Sequence, residues 1–100
     1  MLVLQVRLNG ELKATCGADD LDAIVTWLRA KRAADSGNFE FLFECSGSRS
    51  IDATTSETIK WVSARVKLGD EITLKFVEAS SAHAPIERQA YPAYDAAADT

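Results

Sequence analysis

Apolar and polar positions alternate along the first sixteen residues. Leu2, Leu4, Val6 and Leu8 interleave with Val3, Gln5 and Arg7, and after Asn9-Gly10 the alternation resumes as Leu12, Ala14 and Cys16 against Glu11, Lys13 and Thr15. Period-two patterning puts each set on one face of a sheet, and Asn-Gly supplies the positive φ values of a tight primed turn. The pattern predicts a β-hairpin.

From Asp20 the period changes. Leu21, Ile24, Val25 and Leu28 recur at helical spacing, with Asp19, Asp20 and Asp22 before them and Arg29, Lys31 and Arg32 after them. Acids at the amino end and bases at the carboxyl end suit a helix dipole, so the spacing predicts a helix capped by Asp19 or Asp20 and stopped at Ser36-Gly37-Asn38. Trp27 falls at the edge of its apolar stripe, where it either overhangs the core boundary or is displayed, the first being the preferred reading. Alternation returns with Phe39, Phe41, Phe43 and Cys45 against Glu40, Leu42 and Glu44, a third strand, and with Ile72, Leu74 and Phe76 against Thr73, Lys75 and Val77, a fourth launched by the turn Leu68-Gly69-Asp70-Glu71.

Residues 46–67 carry two patterns. Ser46-Gly47-Ser48-Arg49-Ser50 reads as a loop, and Thr54-Thr55-Ser56-Glu57 fits a capping box opening a short helix with Ile59, Val62 and Val66 on one face. Ile59, Trp61 and Ser63 also alternate with Lys60, Val62 and Ala64, which describes an edge strand over the same stretch. The short helix is the preferred reading. After Glu78 no period is visible, and residues 79–100 are expected to be a flexible C-terminal tail beyond a single domain of residues 1–78, with Tyr91-Pro92-Ala93-Tyr94 the segment best able to dock.

Hairpin, helix, strand, crossover and strand is the order of a β-grasp. The expected fold is therefore α+β, a β-grasp-like mixed sheet of four or five strands packed on one main helix, with a possible short second helix. In that topology the strands carrying Cys16 and Cys45 are separated by two others, about 14 Å at ~4.8 Å per strand step, too far for a disulfide.

The hairpin from Leu2 to Gly10, the segment Leu21-Asp22-Ala23-Ile24-Val25-Thr26-Trp27, and Trp61 followed by Leu68-Gly69-Asp70-Glu71-Ile72-Thr73-Leu74 resemble small uncharacterised bacterial proteins of ubiquitin-like outline. The resemblance spans residues 2–78 and implies a fold more than an activity. Conjugated modifiers and sulfur carriers of this outline end in Gly-Gly, whereas this sequence ends Ala-Asp-Thr, and its ferredoxin members hold a cluster with four cysteines where this chain has two.

Composition narrows the function classes. With 47% hydrophobic and 26% charged residues the chain has the makeup of a soluble globular domain, and 11 Lys and Arg against 15 Asp and Glu give a net charge of −4 that repels polyanions, so no nucleic-acid partner is expected. No apolar run approaches the ~20 residues that cross a bilayer, and Met1–Arg7 lacks the form of a signal peptide, so no membrane partner is expected and the chain reads as cytoplasmic. Cys16 and Cys45 are too few for a disulfide scaffold or a cysteine-rich zinc site and read as small core residues.

No residue set assembles into a catalytic constellation, a cofactor site or a metal site. His83 stands alone beside Pro85 in the aperiodic segment. Asp19, Asp20 and Asp22 are accounted for by capping, without a calcium loop after them. Ser46–Ser50 lacks the ending of a phosphate loop, and the helix dipole accounts for Arg29, Lys31 and Arg32. Lys60, Arg65 and Lys67 gather basic charge around Trp61, an arrangement suited to protein contact, although Trp61 reads first as a core plug under the crossover. The polar sheet face of Gln5, Arg7, Lys13, Glu40, Glu44, Thr73 and Lys75, or the free tail, is the other candidate surface. The expected function is a non-enzymatic protein-binding or adaptor module with a protein partner. An immunity or inhibitor protein steered by charge to a basic toxin, and a small enzyme using Cys16 or Cys45 as nucleophile, are the alternatives.

Overall fold

Asn9 and Gly10 adopt φ values of 52° and 83°, the conformation their turn requires, and the strands they join lie antiparallel. In the computed structural model, which describes residues 1–92, these are β1 (Leu2–Leu8) and β2 (Glu11–Cys16). They are followed by β3 (Ala23–Arg32), β4 (Phe39–Ser50), β5 (Thr55–Val66), β6 (Ile72–Glu78) and β7 (Glu87–Pro92). A three-stranded sheet in the order β2-β1-β6 faces a four-stranded sheet in the order β3-β4-β5-β7, with every pair antiparallel.

The α+β, β-grasp-like expectation is overturned, since the described residues contain no helix. The segment read as the main helix is β3. Its run Ile24-Val25-Thr26-Trp27 is β-branched and aromatic, side chains that suit a pleated surface and lose rotamer freedom in a helix. Pairing with β4 sets Ile24, Thr26 and Leu28 opposite Gly47, Cys45 and Phe43. The acids and bases that matched a helix dipole instead serve the strand ends. Arg49 reaches Asp20 at 2.9 Å, Asp22 accepts from the Ser50 N–H at 2.9 Å, and Arg32 donates to the Gly37 carbonyl at 2.8 Å.

The short second helix is likewise absent, and its residues form β5. The ladder runs Cys45 opposite Val62 and then Ser46 opposite Lys60, so Trp61 is an extra residue, a β-bulge. The bulge advances the alternation by one position: Ile59 and Trp61 face the core before it, and Val62, Ala64 and Val66 face the core after it. The spacing of Ile59, Val62 and Val66 that imitates a helix is this phase slip. A second bulge at Lys13 divides the apolar set of β2. Ala14 and Cys16 are buried, and Leu12, opposite Arg7, is 40% exposed.

Leu4, Val6, Ala14 and Cys16 from one sheet meet Phe43, Cys45, Ile59 and Trp61 from the other, a two-layer core. Gly47 makes room for it, because a Cβ there would lie 3.0 Å from Trp61 Cζ3 and from the Ala23 carbonyl oxygen. The segment Ser46–Ser50, expected as a loop, continues β4. At one end of the sandwich the hairpin turn is clasped to the turn before β6: the Asn9 N–H donates to the Glu71 carbonyl at 2.8 Å and the Glu71 N–H donates to Asn9 Oδ1 at 2.9 Å. The Asn9 side-chain amide, together with the Lys67 N–H, holds the Asp70 carboxyl below its ordinary range.

Within the segment expected as a flexible tail, residues 79–86 cross the sandwich edge and Glu87–Pro92 pair with β5. The Ala93-Tyr94 half of the predicted docking segment lies outside the described residues.

Candidate functional site

The two lateral sides of the sandwich differ. On one side the connection 79–86 runs past the free edge of β2. The His83 N–H donates to the Thr15 carbonyl at 2.9 Å, the Thr15 N–H donates to His83 Nδ1 at 3.1 Å, and Trp61 Nε1 donates to the His83 carbonyl at 3.0 Å. His83 thus takes the strand edge of β2 and caps the buried indole. The strand edge on this side is taken, and beside it Gly17, Ile59, Trp61 and the connection 80–85 line a cleft of about 420 Å³.

On the other side β6 and β3 are outer strands, each paired along one edge alone among the described residues. Register places Phe76 opposite Leu4 and Leu74 opposite Val6, so both side chains belong to the core face, yet they are 62% and 44% exposed. Leu28, opposite Phe43, also belongs to the core face and is 64% exposed. The sheets part along β6. Near Ile72 they leave a void of about 20 Å³, whereas Phe76 and Leu2 border an open cleft of about 350 Å³ with Leu21 and Ile24 beyond it and Asp19 and Asp22 on its rim. A second cleft of about 320 Å³ lies beside Phe39, Phe41 and Leu68.

The described chain has a radius of gyration of 15.8 Å against ~13 Å for 100 residues closed around one core, and its large exposed apolar residues outnumber its buried ones. On this side Leu28, Leu74 and Phe76 are exposed on the core faces of β3 and β6, two strands each with one edge unpaired among the described residues.

The residues singled out in the sequence are dispersed. Trp61 is 5% exposed and faces the core, whereas Lys60 and Arg65, opposite Ser46 and Leu42, lie on the outer face of the four-stranded sheet, and Lys67 lies past the end of β5. Lys60 is held by Glu44 at 3.4 Å and Glu87 at 3.5 Å; burial draws its ammonium down, and the two carboxylates outweigh this and push it above its ordinary value. Arg7 and Lys75, with Gln5 and Thr73, occupy the outer face of the three-stranded sheet, while Glu40 and Glu44 are on the outer face of the other sheet, so the single polar face expected is two faces on opposite sides of the molecule. Arg49, considered for an anion loop, is neutralised by Asp20 and by Glu57 at 2.9 Å.

Cys16 and Cys45, placed two strands apart by the β-grasp order, meet across the two sheets, both fully buried. The contact with Cys45, then burial, push the Cys16 thiol far above the ordinary thiol range, while the same contact lowers Cys45, whose side chain has no exposed surface. Among the described residues no group of three His, Cys, Asp or Glu side chains is placed to hold a metal ion, and no helix is long and apolar enough to cross a membrane.

The open side is not legible in the pattern, because its residues carry helical spacing in β3 and plain alternation in β6. The signal that finds it is the run Ile24-Val25-Thr26-Trp27. Comparison with family models, curated proteins and solved structures finds no match, so the functional reading rests on this geometry.

Proposed function

We propose that this chain is a non-catalytic protein-binding module of the cytoplasm whose contact surface is the open side of the sandwich. One observation carries the reading: Leu28, Leu74 and Phe76 point to the core side of their strands and are exposed between two strand edges unpaired among the described residues. Apolar groups in this position are covered by a partner whose own backbone can pair with a strand edge, the mode of recognition known as β-augmentation. Cys16 and Cys45, in contact yet unlinked, suit a reducing compartment.

The test is capture of partners from native lysate, followed by binding measurements with each captured protein after purification. Phe76→Glu and Leu28→Glu alter exposed positions and leave the core in place, and each should weaken binding roughly tenfold or more. Lys75→Glu, on the outer face, should bind as the unaltered chain does. Equal binding by Phe76→Glu, or no purified protein that binds, a second copy of the chain included, would overturn the reading.

A further inference from the structure

Of the strand edges in the molecule, β3 is the one built to meet its own copy. We infer that two chains associate by antiparallel pairing of β3 with β3 across a twofold axis at Trp27, joining the two four-stranded sheets into one of eight strands. The inference rests on the protein-binding reading and narrows its partner to a second copy.

Charge distribution carries the argument. β3 is preceded by Asp19, Asp20 and Asp22 and ends in Arg29, Lys31 and Arg32. Antiparallel pairing of the strand with itself therefore lays the acidic end of each copy along the basic end of the other. With Trp27 on the axis, Asp22, which also accepts from Ser50, stands opposite Arg32, which also donates to the Gly37 carbonyl, as the one directly opposed acid–base pair, with Val25 opposite Arg29 and Thr26 opposite Leu28, and each pair occurs twice by symmetry. Positions directly opposite in this register share a face, as antiparallel pairing requires.

The other edges do not fit. β6 is bounded by Asp70 and Glu71 at one end and Glu78 at the other, so the same operation sets carboxylates against carboxylates. The edge of β2 is taken by His83, and β7 is six residues long and ends in Pro92, which has no N–H to give. β3 runs ten residues with no proline and no bulge, and Val25, Trp27 and Leu28 are 49%, 37% and 64% exposed. Long apolar edges of this kind pair with another strand. The pairing also brings the open sides of the two copies together, each supplying cover for the other's Leu28.

The test is the mass of the purified full-length chain by sedimentation equilibrium over the micromolar range, for the unaltered chain and two substitutions at Val25. Val25→Glu places a carboxylate opposite Arg29 of the second copy at two symmetric points and should tighten the dimer roughly fivefold; Val25→Lys places like charges there and should weaken it by a similar factor. The change in sign at one exposed position separates this register from loss of folding. A chain that is monomeric throughout, or a dimer indifferent to both substitutions, would overturn the inference. Binding of a purified captured protein through Phe76 would then still stand, so this failure is distinct from failure of the binding-module reading.

Discussion

Cys16 of β2 and Cys45 of β4 touch through their thiols at the centre of the molecule, each with no exposed surface, and this contact ties the hairpin sheet to the four-stranded sheet. Two strands that belong to different sheets supply them, so the contact is a direct consequence of the sandwich.

Stability should fall as pH rises above the ordinary thiol range. The unfolded Cys16 thiol ionises at its ordinary value of 9.0, whereas the folded one, raised by its contact with Cys45 and by burial, keeps its proton. A raised folded pKa gives stability that is complete below about pH 9 and lost above it, at about 1.4 kcal/mol per pH unit for one group. Cys45 is lowered by its contact with Cys16 and contributes with the opposite sign below about pH 9, so urea denaturation at pH 9 and 10 checks the falling limb, with Cys16→Ala lacking that component of the slope. A stability that rises over this window would contradict the buried pair.

The two tryptophans should behave oppositely. Trp61→Ala removes a core indole that donates to the His83 carbonyl and should cost about 3 to 5 kcal/mol, while Trp27→Ala, on the exposed face of β3, should cost under about 1 kcal/mol. In Trp27→Phe the remaining emission should resist quenching by acrylamide. Ready quenching would show that the indole of Trp61 is not enclosed.

Among the three phenylalanines of β4 the burden falls on Phe43, which is 4% exposed, whereas Phe41 is half-buried and Phe39 is 50% exposed. Phe43→Ala should cost about 3 to 5 kcal/mol and Phe41→Ala clearly less, with Glu40→Ala within about 0.5 kcal/mol. The sequence pattern alone makes Phe41 the central residue. Chemical denaturation of the three variants ranks them.

Removal of residues 80–100 should cost more than about 2 kcal/mol, because it strips His83 from the edge of β2, uncaps Trp61 and removes the strand paired with β5. Truncation after Pro92 serves as the control that isolates the described segment. An equal, near-zero effect of both truncations would show that the His83 clasp contributes nothing.

Much of the strand content was legible. Asn9-Gly10, the Phe39–Cys45 alternation and the turn before Ile72 each carry a local period or turn residue, and each stands in the fold as a strand or turn. What misled the reading were two places where a strand imitates a helix. In β5 the bulge at Trp61 shifts the alternation by one, and a shifted period of two gives spacings of three and four. In β3 both faces are apolar because one side faces the parted sheets and the other carries Val25 and Trp27 on a free edge, so alternation is lost and charge at the two ends stands in for a dipole. The open side depends on which strands are outermost, and strand order is a property of the assembled sheets that no single segment encodes.

That residues 23–32 form an edge strand is tested most directly by nuclear Overhauser contacts in the isotope-labelled chain. Close Hα–Hα contacts should link alternate β3–β4 pairs in the register Thr26 to Cys45 and Leu28 to Phe43, with strong sequential Hα–HN contacts along β3. Strong HN–HN contacts between neighbours from Leu21 to Arg32, accompanied by contacts three residues apart and none to β4, would describe a helix. That result would contradict the sandwich, its open side and the pairing proposed for it.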